Sequence, residues 1–300
     1  MNLQKSAATF DNLDLLASQV VEGFITGLHQ SPFHGFSVEF AEHKIYNKGE
    51  STRHIDWKLF GRTEKLFVKR YEEETNLRCH LILDTSASMY YPEGTLAKIN
   101  FGAVAAAILA NLMKRQRDAF GLTLFNDIIV SQTEVRSSAS HYTLLLSQLT
   151  HVMQQKGFQA KTNLAQTLNT IAEQIHRRSL VVILSDMFDD AEQSDAIFDA
   201  LQHLKFRKHE IILMHIVDGD SELEFNFENR PYKFIDNESG EELKLYPDDV
   251  KTQYLQQMNA YRIALKLKCN QYRIDFVEAD VRKDFSQILM PFLVKRQKMF

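Results

Sequence analysis

Cys79-His80-Leu81-Ile82-Leu83-Asp84-Thr85-Ser86-Ala87-Ser88-Met89 begins as a short apolar run and ends in a cluster of oxygen-bearing side chains. Apolar runs of this length fill the interior strands of parallel sheets covered on both faces. Four more follow downstream, at Phe120 to Phe125, Leu180 to Leu184, Ile211 to Val217 and Ile274 to Val277. Helical stretches lie between them, at Lys98 to Arg117, Asn163 to His176, Asp195 to Leu204 and about Asp249 to Leu267. This alternation predicts an α/β fold, a doubly wound and mostly parallel sheet of Rossmann type, over residues 77–300.

Upstream the texture differs. Leu13, Leu16, Val20 and Phe24 recur at helical spacing over Asp11 to Phe24, and strand-like pieces follow at Phe36 to Phe40 and Leu66 to Val68. Residues 1–76 are therefore expected to form an N-terminal appendage of helix and strands. Two downstream segments also stand outside the alternation. Phe225, Phe227, Tyr232, Phe234, Asn237 and Gly240 predict a β-hairpin inserted at about residues 222–245, and Asp284 to Gln297 reads as a closing helix.

Composition narrows the function. The 300-residue chain is 44% hydrophobic and 25% charged, with five prolines, so a core of ordinary size is expected and disorder is not. A net charge of −4 argues against a nucleic-acid binder, which needs a basic face to neutralise phosphates. The N-terminus lacks the pattern of a secretory signal, and the longest nearly apolar run, Gly102 to Met113, falls short of the ~18 residues of a membrane span. A cytoplasmic protein without a transmembrane segment is expected. The two cysteines, Cys79 and Cys269, sit in apolar segments and read as buried free thiols.

The chemistry concentrates at strand ends. In an extended segment Asp84, Ser86 and Ser88 face one side, so a carboxylate and two hydroxyls converge. A second strand ends in Ser185-Asp186, and Thr162 stands just before an amphipathic helix. All are hard oxygen donors, suited to Mg²⁺ first and to Mn²⁺ or Ca²⁺ next. Taken singly, the motif also fits a polar turn, an N-cap at Thr162 and a loop acid at Asp186. Phosphate loops, dinucleotide-binding glycines, G-x-S-x-G elbows and H-E-x-x-H helices are all missing from the sequence, so no enzyme is expected. The nearest enzymatic rival is a Mg²⁺-dependent phosphohydrolase of haloacid-dehalogenase type. That chemistry wants a second Asp two residues after the first, where this chain has Ser86. A scaffold with a vestigial metal site is the remaining alternative.

Asp84-x-Ser86-x-Ser88, followed by Thr162 and Asp186, is similar to the metal-ion-dependent adhesion site of von Willebrand factor A domains. The resemblance implies a cation held by the two serines and the threonine, with the aspartates acting largely through water and an acidic group of a protein partner completing the shell. A second resemblance covers more of the chain. Tyr46-Asn47-Lys48-Gly49-Glu50-Ser51-Thr52-Arg53-His54-Ile55-Asp56-Trp57-Lys58, with Arg62-Thr63 and Tyr71 to Glu74, resembles the bacterial domain-of-unknown-function family fifty-eight. It implies a cofactor-like, adaptor or chaperone role beside a MoxR-type AAA+ ATPase. Glu50, Gly61 and Lys161 depart from the family's usual Asp, Ala and Gly, and none of these changes removes a metal donor. An Arg53–Asp56 ion pair is expected to hold a loop against Trp57, itself packed on the main domain; the alternative is that this loop forms a docking edge for the partner.

Overall fold

The computed structural model of the protein describes residues 10–27, 36–45, 57–63, 65–75, 77–155, 164–175, 178–187, 194–236, 240–283 and 288. The chain divides into two units, one of residues 1–32 with 78–300 and the other of residues 33–77.

The larger unit is an α/β sandwich around a six-stranded sheet. In chain order its strands are β3 (Arg78–Asp84), β4 (Ala119–Phe125), β5 (Ile129–Gln132), β6 (Leu180–Ser185), β7 (Glu210–Val217) and β10 (Asp275–Asp280). Across the sheet they run β10-β7-β6-β3-β4-β5. All neighbours are parallel except β4 and β5. The apolar runs become the interior strands, with all six residues of β6 buried.

On one face lies α3 (Lys98–Arg115), in which every residue from Phe101 to Met113 is buried. A helix that is apolar all round needs cover on all sides. The sheet supplies one side; α1 (Phe10–Gly27) and α4 (Ala139–Gln154) supply the others. Gly102 permits the close approach, since a Cβ there would stand 2.6 Å from Leu83 Cδ1. On the opposite face α5 (Leu164–Gln174), α6 (Ser194–Phe206) and α7 (Pro247–Gln271) share a core with the sheet, through Leu168, Ile171, Leu201, Leu204 and Leu265 against Val181, Ile183 and Leu213.

After β7 the chain makes a wide turn over Gly219–Leu223 and then forms the antiparallel hairpin β8 (Tyr232–Ile235) and β9 (Glu242–Leu245). Phe225 stacks on Phe234 of this hairpin at 5.9 Å and lies 4.6 Å from Tyr254 of α7. The smaller unit holds the antiparallel pair β1 (Phe36–Ile45) and β2 (Phe67–Thr75) and the short helix α2 (Trp57–Thr63).

Several expectations need correction. The first helix does not group with the strands that follow it; it belongs to the larger unit, where Tyr142 donates to Asp14 Oδ1 at 2.9 Å, Asn111 donates to Ser18 and Arg115 pairs with Glu22. Two elements outside the expected alternation, β5 and α4, extend the sheet by an edge and complete the cover of α3. The last strand, expected over Ile274 to Val277, begins at Asp275 and runs three residues past Val277, ending at Asp280. Within the smaller unit Trp57 is 64% exposed, with its ring edge-on to Phe60. Arg53, Asp56 and Lys161 lie outside the described residues, as does all of the expected closing helix except residue 288. Cys79 and Cys269 are buried free thiols, as expected. Among the described residues, no helix is long and apolar enough to cross a membrane.

Candidate metal centre

Strand order fixes where chemistry can collect. From β3 the chain moves through α3 to β4 on one side, and later returns through β6 to the other side of β3. The connections leave the carboxyl ends of β3 and β6 in opposite directions, and the crevice so opened is the usual ligand position of an open α/β sheet. Asp84 is the last residue of β3, and Ser185 is the last of β6, with Asp186 directly after it.

Asp84 is buried and doubly held. Its Oδ1 accepts the backbone N–H of Ser86 at 2.9 Å, and its Oδ2 accepts the Ser185 hydroxyl at 2.7 Å. Ser185 Oγ in turn accepts the N–H of Met187 at 2.8 Å, which fixes the start of the loop carrying Asp186. Thr85 ties the other flank, donating from both N and Oγ1 to the Phe125 carbonyl at the end of β4. Ser86 is still extended, but the expected extended run to Ser88 stops there and the chain enters a 3₁₀ turn over Ala87–Tyr90. The turn begins when Met89 N donates to Ser86 O at 3.1 Å. It still brings the two serines together, with Ser86 Oγ 3.0 Å from Ser88 Oγ.

Burial, followed by the negative charge of Asp186, pushes the Asp84 carboxyl up to about 7. Two carboxylates are therefore close enough to oppose each other's ionisation. Tyr90 feels the same field: burial and then the Asp84 charge raise its phenol to about 12. His215 of β7, fully buried, is held down to about 4 chiefly by burial and so is neutral at physiological pH.

Three residues of this network escape the sequence reading: Ser185 as a partner of Asp84, Lys98 and Glu222. Lys98, the first residue of α3, is 1% exposed. Its ammonium donates to Asp186 Oδ2 at 2.8 Å and to Glu222 Oε1. Burial would lower its pKa, and the two carboxylates outweigh that effect and hold it above its ordinary value. Glu222 Oε2 accepts the backbone N–H of Asp218 at 2.8 Å, anchoring the wide turn that leads to the hairpin. Asp218 is itself held by Arg282 and by Ser221, which overcome burial and keep its carboxyl below the usual range. One signal for Lys98 exists in the sequence: a lysine opening an otherwise apolar helix faces the positive end of the helix dipole and needs counter-charge from elsewhere.

Does this set fit a cation? Among the described residues, no group of three or more His, Cys, Asp or Glu is arranged to hold a metal, so a site here must rest on hydroxyls. The serine pair meets that demand: cis oxygens around a Mg²⁺ ion with bonds of about 2.0–2.1 Å stand about 2.9 Å apart, and Ser86 Oγ and Ser88 Oγ are 3.0 Å apart. Charge points the same way: when ionised, Asp84, Asp186 and Glu222 concentrate negative charge here, and the Lys98 ammonium offsets part of it. Asp84, Ser86, Ser88 and Asp186 are thus brought to one sheet edge, while Thr162 lies outside the described residues.

Comparison with known proteins adds family but no activity. Uncharacterized proteins of Mycobacterium bovis and Mycobacterium tuberculosis are each 25% identical over 182 residues, which is 61% of this chain. This chain spans 57% of the length of those relatives. Similar solved structures include the conserved hypothetical protein BatB from Bacteroides thetaiotaomicron, at 10% identity and a TM-score of 0.47. An aerotolerance-related membrane protein from Bacteroides fragilis gives 13% and 0.44. Each alignment covers 75% of this chain and 100% of the other. The family described as "Protein of unknown function DUF58" matches residues 42–263, and this chain belongs to it.

Proposed function

We propose that this member of the family is a non-enzymatic, cation-dependent protein-binding module of von Willebrand factor A type, working as adaptor or chaperone partner of a MoxR-type AAA+ ATPase. The observation that carries the reading is the serine pair, Ser86 Oγ and Ser88 Oγ at 3.0 Å, set beside the buried Asp84 in the crevice between β3 and β6. Mg²⁺ is the favoured ion, held by Ser86 and Ser88 with Asp84 and Asp186 behind them and Thr162 as the expected further hydroxyl. Serine hydroxyls are neutral ligands, so a bound cation would keep enough positive charge to attract a carboxylate of the partner.

The protein's own groups prepare the position. Ser185 and the Ser86 N–H engage both oxygens of Asp84 and fix its orientation. Ser88 is half-buried where Ser86 is buried, so the rim of the site lies on the Ser88 side. A partner's Glu or Asp would approach there.

The test measures binding of the MoxR-type ATPase to the wild type and to Ser86→Ala, each in Mg²⁺ and in EDTA. Loss of a metal donor should weaken cation binding by roughly 10–100-fold, and the complex should weaken in Ser86→Ala and in EDTA alike. Equal affinity in all four conditions would overturn the reading.

A further inference from the structure

Lys98 is an unusual tenant of an acidic site. It is buried, it opens α3, and it divides its ammonium between Asp186 and Glu222. A buried ammonium must be paired, but either carboxylate alone would pair it. By taking both, it spends positive charge directly on Asp186, one of the two aspartates of the candidate site. The amino end of α3 adds a positive partial charge of about half a unit in the same place. The chain has therefore installed a fixed positive charge beside a position suited to a cation.

We propose that Lys98 is a charge-setting residue: it cancels part of the Asp186 charge, so that a divalent cation at Ser86 and Ser88 binds weakly alone and firmly once a partner's carboxylate joins it. The inference rests on the cation-binding reading above and specifies its regulation. With Asp186 partly neutralised, the two aspartates present less than two negative charges to the cation, and a deficit of negative charge remains. An acidic side chain supplies that charge; a neutral or basic one does not. Cation and acidic partner then strengthen each other's binding by the same factor, as linkage requires. Glu222 sets the balance. It draws the ammonium away from Asp186, and it is fixed in turn by the Asp218 N–H at 2.8 Å.

Two substitutions should move cation affinity in opposite directions. Lys98→Met removes the competing charge and should tighten binding of Mn²⁺ alone by at least about tenfold. Glu222→Gln leaves the ammonium wholly to Asp186 and should weaken it by a similar factor. Both are read by Mn²⁺ titration followed by electron paramagnetic resonance on the full chain, with folding checked by circular dichroism. A packing role for Lys98 would weaken Mn²⁺ binding in both variants, and that result overturns the proposal. If Lys98→Met does not fold, Glu222→Gln decides alone, unchanged or tighter binding being the overturning outcome. Wild-type protein that binds no Mn²⁺ would sink the cation reading itself, whereas wild-type binding with unmoved or inverted variants would sink only the role of Lys98.

Discussion

Asp84→Asn separates what the acidic site costs the empty protein from what it gains with a cation. In the folded chain the Asp84 carboxyl is raised from 3.8 to about 7, by burial first and the Asp186 charge second. The sign follows. Between those values the native state holds a proton that the unfolded state has released, so stability falls as pH rises through the window and is lowest above about 7. At about 1.4 kcal/mol per pH unit, the ceiling on this penalty is of the order of 4 kcal/mol. Asparagine never ionises and keeps the acceptor for the Ser86 N–H, but it loses the charge-assisted bond from Ser185. Setting about 1–2 kcal/mol against that loss, Asp84→Asn in EDTA at pH 8 should be more stable than wild type by roughly 1–3 kcal/mol. The advantage should shrink towards pH 4. With Mg²⁺ the order reverses: a ligand at one hundred times its dissociation constant adds about 2.7 kcal/mol to the wild type and little to the variant. Thermal melts at pH 5 and 8, with EDTA and with Mg²⁺, supply every comparison. A variant that is the less stable protein at both pH values in EDTA, or that responds to Mg²⁺ as the wild type does, would refute the reasoning.

Two further substitutions examine the framework. Gly219→Ala would place a Cβ 2.5 Å from Asp280 Oδ2 and displace the carboxylate that accepts the Gly219 N–H at 3.0 Å; a loss of about 1–3 kcal/mol is expected in urea unfolding, and a change within about 0.5 kcal/mol would contradict it. Tyr142→Phe removes the hydroxyl that donates to Asp14 and accepts from Asn111. It should cost about 1–2 kcal/mol and speed amide exchange across α1; unchanged exchange there would mean that the helix is held by its apolar face alone.

How much of this is legible in the sequence depends on how local each signal is. Asp84, Ser86 and Ser88 can be read because they follow one apolar run within a few residues, and Asp186 because it follows another. A parallel sheet then brings strand ends together without further instruction. The hairpin is legible for the same reason: its two strands and turn lie within one short segment. β5 is not, since Ile129–Gln132 gives only four residues of alternation, with Val130 inside it and Ile128 just before it both exposed. α4 does carry a helical spacing, in Tyr142, Leu145, Leu146, Leu149 and Val152. That pattern suits a helix, yet α4 is not among the expected ones, and the spacing does not say which face it would cover. The placement of α1 is harder still, because the contacts that hold it join residues 93 and 128 positions apart.

The Lys98–Glu222 pair, 124 positions apart, marks the limit of such reading. No periodicity connects those residues, and each has an ordinary local role, one opening a helix and the other lying in a turn. Yet the lysine breaks a local rule, because a cation at the amino end of a buried helix opposes the helix dipole. A residue that breaks such a rule in an otherwise consistent sequence points to a compensating group elsewhere. Here the only places a parallel sheet could bring that group are the ends of the neighbouring strands, where Asp186 follows β6 and Glu222 lies in the turn after β7. The misfit at Lys98 therefore carries information that the well-behaved residues around it do not: it marks the edge of the sheet at which the charge is concentrated.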